Sequence, residues 1–262
     1  MVQEAFTNRV ALVTGSSRGI GHAIARSLAA AGADVVIHHR KGGGSSQTKA
    51  ENLRREIEEA GRRALVVTAD IAQKGEVRKL FDEVRARFGR LDFLILNAAR
   101  APFKPIERLL ERDLRQLVDT NYLGNIFCLQ EAIPLLEKTQ GRVVFLSSLG
   151  SRFYNPSYPL GSMKAAMEAV VRDCAESLCA RKIAVNGICA GLVKTDSFKV
   201  LRQYWEEIEQ VPDDLFVEPE EIADIVCFLC SSASRAVQGH IIMADRGLSN
   251  RLYQGSPRRR LL

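Results

Sequence analysis

Seven short runs rich in Val, Ile and Leu recur at 10–14, 34–38, 64–68, 92–96, 142–147, 183–188 and 239–243, and amphipathic stretches at 19–31, 47–60, 74–88, 111–138, 161–180 and 219–230 fall between them. The runs lack a polar alternate face, which is what strands covered on both sides require. Strict succession of strand and helix predicts parallel pairing through helical crossovers. The expected fold class is α/β, one doubly wound parallel sheet of about seven strands with helices on both faces. At 262 residues a single core is the default, so 1–250 reads as one domain and 251–262, ending GSPRRRLL, as a basic solvated tail.

Two stretches break the rhythm. KGGGSSQ at 41–47 reads as a flexible surface loop. Segment 196–216 carries helical pattern where the link from a strand should be short, and α/β folds place substrate lids at such positions. Its aromatic residues Phe198, Tyr204, Trp205 and Phe216 suit either an apolar acceptor or packing beneath a lid.

Composition excludes several classes. No apolar run reaches bilayer length, so no membrane span is expected. Net charge is +6, but the basic residues are scattered and no basic helix interleaves with aromatics, which argues against nucleic acid. An acidic carrier protein is compatible with that charge, although charge alone identifies no partner. Six cysteines in apolar or helical contexts, with no secretory signal, suit a reduced cytoplasmic protein. Cys227 and Cys230 form a CxxC inside an apolar helical stripe without a second ligand pair, which favours core packing over a metal site.

The first apolar run leads directly into TGSSRGIG at 14–21 and then a helical pattern. Gly15 allows the tight turn, Gly19 lets backbone approach a pyrophosphate, and Gly21 lets the helix pack on the sheet, with the helix N-terminus facing the phosphates. That placement makes the sheet Rossmann-type and the ligand a dinucleotide. The second run ends in DVVIHHRK, which offers His39 and Arg40 but no acidic residue for ribose hydroxyls. With Arg18 in the phosphate loop, the expected cofactor is NADP(H).

Over nearly its whole length the chain resembles the short-chain dehydrogenase/reductase family. The matching pieces occur in the family's order: TGSSRGIG, AD at 69–70, NAA at 97–99, Asn121 in TNYLGN, SS at 147–148, Tyr158 with Lys164, and AGLVKT at 190–195. The resemblance implies that Ser17 and Ile20 join Gly15, Arg18, Gly19 and Gly21 around the phosphates. It also implies that Asp70 and Ile71 contact the adenine, that Asn97, Ala98 and Ala99 line the adenosine side, and that Gly191, Val193 and Thr195 lie at the nicotinamide. Lys164 would bind the nicotinamide ribose and lower the pKa of the Tyr158 phenol. Ser148 would position the substrate oxygen, Tyr158 would donate the proton, and Asn121 would support a water relay to Lys164. The helices at 111–138 and 161–180 would pair across a homodimer or homotetramer interface.

The residue types suit the chemistry. Hydride delivered to a carbonyl carbon leaves negative charge on oxygen, so the site needs a donor on that oxygen and an acid poised near neutral pH. A phenol with an ordinary pKa near 10 becomes such an acid beside a cation.

Tyr158 and Lys164 stand six positions apart in SYPLGSMK. On one continuous helix that offset turns the second side chain roughly 120° from the first. Pro159 resolves the conflict, because proline disfavours helical geometry in the residue before it and itself suits a helix start, leaving Tyr158 on a loop and Lys164 on the helix. Tyr154 lies in the same loop as a rival acid. SSLGSRFYNPSY with KAAMEAV, NAAR at 97–100 and GLVKTDSFK at 191–199 is most similar to the enoyl-acyl-carrier-protein reductase III branch, which reduces a carbon–carbon double bond on an acyl thioester. Ala190-Gly191 and Asp245-Arg246-Gly247 depart from the family's usual Pro-Gly and acidic-Gly-Gly, which suggests a remodelled pocket. The expected activity is NADP(H)-dependent reduction of an enoyl- or ketoacyl-thioester-like substrate. The alternatives are reduction of a C=O, C=N or carbinolamine group in natural-product metabolism, or a non-catalytic NADP(H) sensor.

Overall fold

The apolar runs form β1 (Val10–Val13), β2 (Asp34–His39), β3 (Ala64–Thr68), β4 (Phe93–Leu96), β5 (Arg142–Ser148), β6 (Ala184–Ala190) and β7 (Ile241–Ala244). They are seen in a computed structural model that describes residues 5–153, 159–196, 198, 203, 208 and 211–251. All adjacent strands pair in parallel in the order β3-β2-β1-β4-β5-β6-β7. The described helices are α1 (Gly19–Ala30), α2 (Gly44–Glu59), α3 (Lys74–Phe88), α4 (Glu111–Val118), α5 (Gly124–Thr139), α6 (Leu160–Ser177), α7 (Pro219–Cys230) and the short α8 (Leu248–Arg251).

Strand periodicity explains the layers. Val13, Ile37 and Ile95 face Ile24 and Leu28 of α1, Leu53 of α2 and Val226 of α7 in one core. Their sequence neighbours Leu12, Val36 and Leu94 face Phe81 of α3, Leu136 of α5 and Val171 of α6 in the other. Each such side chain, fully buried, contributes roughly 1.5–3 kcal/mol. Strand order reverses between β1 and β4, and a crevice at the carboxyl ends of such a pair is where doubly wound sheets bind ligands.

Three boundaries differ from the sequence expectation. Helix α2 begins at Gly44, so the second half of KGGGSSQ is helix rather than loop. The first N–H groups of a helix have no upstream carbonyls to accept from them, and just before α2 the Gln47 carboxamide oxygen accepts a hydrogen bond from Gly43 N. The pattern at 111–138 is not continuous, because Asp119–Leu123 forms a π-helical turn between α4 and α5. β7 starts at Ile241, after Gly239 at φ +71°.

Cys230 lies in the core and Cys227 packs against it. Burial pushes the Cys227 thiol up to about 12 and the Cys230 thiol well above its ordinary value. No group of described His, Cys, Asp or Glu residues could hold a metal ion. Among the described residues no helix is long and apolar enough to cross a membrane. A small third cluster of Leu192, Ile208, Leu215, Phe216 and Leu248 includes the described part of the expected lid, with the Phe198 and Phe216 rings edge-on at 5.2 Å. Tyr204 and Trp205 lie outside the described residues, as do residues 252–262 of the tail.

Candidate active site

The turn between β1 and α1 is held by contacts from two other strands. Gly15 adopts φ +67°, and a Cβ there would lie 3.0 Å from Ala98 Cα, so both conformation and space require glycine. Thr14 Oγ1 accepts from Asn97 N and Ala98 N, each at 3.0 Å. The Asn97 carboxamide donates to Thr14 O at 2.9 Å and Gly15 O at 3.1 Å. A Cβ on Gly21 would meet Gly15 O and Asn97 Nδ2 at 2.5 Å, so α1 packs directly on the turn. No side chain caps α1, which leaves its N-terminal amides available to an anion.

His38 is a brace that the sequence did not assign. Its Nδ1 accepts from Gly15 N at 3.0 Å and its Nε2 bonds Ala69 O at 2.8 Å, so the ring is a neutral imidazole with the proton on Nε2. Burial lowers its pKa from 6.5 to about 4, against the opposing Ala69 bond. Between those values only the unfolded chain binds the proton. Stability should therefore fall as pH drops from 6.5 towards 4, by on the order of 3 kcal/mol in full. Urea melts at both ends of this window should show a larger loss for wild type than for His38→Gln, and equal losses would contradict this role.

One cavity of about 610 Å³ runs from this turn to the ends of β5 and β6, a volume within the range of cofactor sites. Gly15, Ser17, Arg18, Gly19, Ile20 and Gly21 line its end at the glycine turn. His39, Arg40, Ile71, Asn97, Ala98 and Ala99 follow along its wall beyond the ends of β2 and β4. Gly191, Val193, Thr195, Ser148 and Lys164 line the other end. His39 is buried, with its ring nitrogens facing Lys41 O and Thr68 Oγ1 at 3.1 Å. Arg18 and Arg40 make no ion pair with a described residue, nor does Arg100, a third lining guanidinium whose role sequence pattern did not reveal. Burial, and then the nearby Arg40 charge, lower the Arg100 pKa.

Two expected residues stand apart from the cavity wall. Asp70 is not among the lining residues, and its carboxylate accepts from Ala72 N at 3.0 Å. The Asn121 carboxamide is also not in the wall; it accepts from Arg100 N at 2.9 Å and donates to Arg100 O and Leu117 O at 2.7 and 2.9 Å. The amide thus ties the π-helical turn to the chain beyond β4.

At the far end, the Ser148 hydroxyl is buried and has no described hydrogen-bond partner. Lys164 is 4% exposed, donates from Nζ to Leu146 O, and lies 4.7 Å from the Phe145 ring centroid. Burial lowers its pKa to about 8, opposed by Cys189 and Glu168. Helix α6 begins at Leu160 with Pro159 as N-cap, one position later than a first-turn proline. Tyr158 and Tyr154 lie outside the described residues. Phe103, Leu149, Phe153, Leu160 and Leu192 make this end of the cavity apolar.

The donors present fit a nicotinamide dinucleotide. A glycine turn and helix N-terminus face one end, cations line the middle, and an unpartnered hydroxyl with a buried ammonium stands at the other. Comparison with known proteins agrees. Residues 15–249 match the sequence profile of a family described as enoyl-(acyl carrier protein) reductase. The chain is 35% identical over 258 residues, 94% of its length and 89% of the relative's, to 1-cyclohexenylcarbonyl-CoA reductase of Streptomyces collinus. A short-chain dehydrogenase of Burkholderia cenocepacia in complex with NADP superposes with TM-score 0.83 at 31% identity, covering 92% of this chain and 98% of that one. A short-chain dehydrogenase of Mycobacterium paratuberculosis bound to NAD does so with TM-score 0.82 at 28% identity, covering 92% and 98%.

Proposed function

Because the chain belongs to the short-chain dehydrogenase/reductase family of nicotinamide-dependent oxidoreductases, we propose that it is an NADP(H)-dependent reductase of an α,β-unsaturated acyl thioester. The observation that carries this reading is the shared cavity of the phosphate turn, the unpartnered Ser148 hydroxyl and the buried Lys164 ammonium. The name of the Streptomyces relative, a reductase of an unsaturated acyl-CoA, supports the acceptor class. So does the apolar wall around Ser148.

Bound NADPH supplies a hydride. Its arrival at the β-carbon of an unsaturated thioester moves negative charge onto the thioester oxygen, where the Ser148 hydroxyl donates a hydrogen bond. Tyr158 donates the proton that completes the reduction. Lys164 holds the nicotinamide ribose, and its charge lowers the phenol's pKa and stabilises the developing anion. Val193 and Thr195 orient the nicotinamide. The apolar wall excludes water, which strengthens each of these interactions.

Arg40 supports NADP(H) as the cofactor, since it lines the cavity at the end of β2 and the sequence there offers no acidic residue for a ribose diol. Losing a charge-assisted bond to the 2′-phosphate costs roughly 1.5–3 kcal/mol. Arg40→Ser should therefore weaken NADPH binding about ten- to a hundredfold by calorimetry and leave NADH unchanged. Equal effects on both nucleotides would refute the assignment. The acceptor class is tested by NADPH oxidation with enoyl thioesters, with ketoacyl thioesters and cyclic imines as competing outcomes.

The oligomer we propose is a homodimer or homotetramer joined through the helices at 111–138 and 161–180, which are α4, α5 and α6. Leu114 and Val118 on α4, Leu110 at its N-cap and Ile106 in the preceding 3-10 turn are exposed apolar residues. An acidic carrier protein bearing the thioester remains part of the proposal on net charge alone.

A further inference from the structure

Glu168 lies one turn beyond Lys164 on α6 and is 7% exposed. Three donors converge on it. Ser147 Oγ, from the end of β5, and Ser151 Oγ, at 2.7 Å from the following turn, both donate to Oε1. Arg152 Nη2 stands 3.4 Å from Oε2. Taking a carboxylate out of water is costly even when it is hydrogen-bonded, and an apolar side chain of similar volume would fill the space without that penalty. Packing alone gives no reason for the charge.

The position supplies one. Ser148 lies between the two anchored serines, and strand alternation turns its side chain away from Glu168 and into the cavity. Ser151 Oγ, its single proton shared with the carboxylate, also lies 2.8 Å from Ser148 O, so the carboxylate ties the backbone before and after the buried Ser148 hydroxyl, which has no described partner. Glu168 also shares a helix face with Lys164 at an i, i+4 interval. Among the described residues, the groups facing the Lys164 ammonium are the Leu146 carbonyl and Phe145 ring from β5, Cys189 from β6, and Glu168 from α6 itself. Glu168 is the carboxylate of that set.

We propose that Glu168 is a positioning residue for the reduction: it fixes the turn that carries the Ser148 hydroxyl and sets its own charge beside the Lys164 ammonium. The inference rests on the reductase reading above, so its test includes a measurement that needs neither cofactor nor substrate.

Glu168→Gln keeps the shape and an acceptor oxygen but removes the charge. In ligand-free protein carrying 13C at lysine Cε, the Lys164 resonance is identified by its loss in Lys164→Met and followed against pH. The wild-type midpoint near 8 should fall by about one unit in Glu168→Gln. It should return towards the wild-type value in Glu168→Asp, which restores the charge. In turnover with NADPH and the best enoyl thioester, Glu168→Gln should lower kcat about tenfold or more, leave KM for NADPH within about twofold, and move the alkaline limb of the rate profile to lower pH. If Glu168→Gln does not fold, Glu168→Asp decides: its carboxylate, drawn back by one methylene from both serines, should lower kcat, and a wild-type kcat would overturn the proposal. A folded Glu168→Gln with wild-type midpoint and wild-type kcat would also overturn it. Wild-type protein that reduces none of the acceptors would refute the reductase reading, while the resonance would still decide the role of Glu168.

Discussion

Lys164→Met is expected to lower turnover by about two to four orders of magnitude and to raise the melting temperature. The ammonium is buried, and burial lowers its pKa from 10.5 to about 8. Only the unfolded chain is fully protonated between those values, so the penalty is complete below about 8 and is relieved as pH rises towards 10.5. At neutral pH it amounts to on the order of 3 kcal/mol. Methionine loses the bond to Leu146 O, worth about 1 kcal/mol net, and fills nearly the same space. The balance favours the variant by roughly 1–2 kcal/mol, or a few degrees. A more stable protein with little activity is what a functional charge held at a structural cost predicts. Calorimetry and NADPH oxidation on the same samples check both halves, and wild-type turnover in a folded Lys164→Met protein would contradict the assignment of Lys164.

Gly161→Ala should be nearly as damaging at a site with no side-chain chemistry. A Cβ there would lie 2.0 Å from Gly150 O and 2.7 Å from Gly150 C, so the first turn of α6 rests directly on the backbone beyond Ser148. Backbone atoms cannot rotate out of the way. Either α6 withdraws, carrying Lys164, or the turn withdraws, carrying Ser148. We expect kcat to fall about a hundredfold or more, since ångström-scale misplacement costs that much. Overpacking should lower stability by roughly 1–3 kcal/mol. NADPH affinity should fall if α6 withdraws, because Lys164 lines the cavity where the nicotinamide ribose is held, and should change little if only the turn withdraws. Gly75→Ala is the control, since its added Cβ would meet nothing within 4 Å. Equal behaviour of the two variants would refute the close packing of turn and helix.

The sheet was legible because strands buried on both faces leave continuous apolar runs, and each of the seven runs became a strand. What sequence pattern could not resolve was local hydrogen bonding. The π-helical turn at Asp119–Leu123 shifts bonding from i+4 to i+5 without altering the apolar rhythm, and α2 begins among glycines because Gln47 reaches back to Gly43. The phosphate turn was equally readable, since its glycines answer local demands of φ and close approach. His38, Arg100 and Glu168 were not, for a shared physical reason. Each is defined by groups on other elements, the Gly15 amide for His38, the nearby Arg40 charge for Arg100 and the Ser147 hydroxyl for Glu168, and no spacing along the chain encodes such neighbours. The repeated histidine at the end of β2 was the available signal for His38, because alternation turns only one of the pair towards the phosphate turn. Asn121 was found by resemblance, yet its carboxamide serves to tie backbone segments together. The placement of Tyr158 outside the helix rested on Pro159. The start of α6 at Leu160 agrees with that, while Tyr158 itself lies outside the described residues.

Transfer of label tests the reductase assignment most directly. Wild-type protein is supplied with NADPH deuterated at the nicotinamide C4 together with an α,β-unsaturated acyl thioester, and the product is weighed by mass spectrometry. One deuterium should appear in the saturated thioester with wild type and essentially none with Tyr158→Phe, although that variant should bind NADPH as tightly. Wild-type protein that binds NADPH and transfers no deuterium to enoyl thioesters, ketoacyl thioesters or cyclic imines would contradict it.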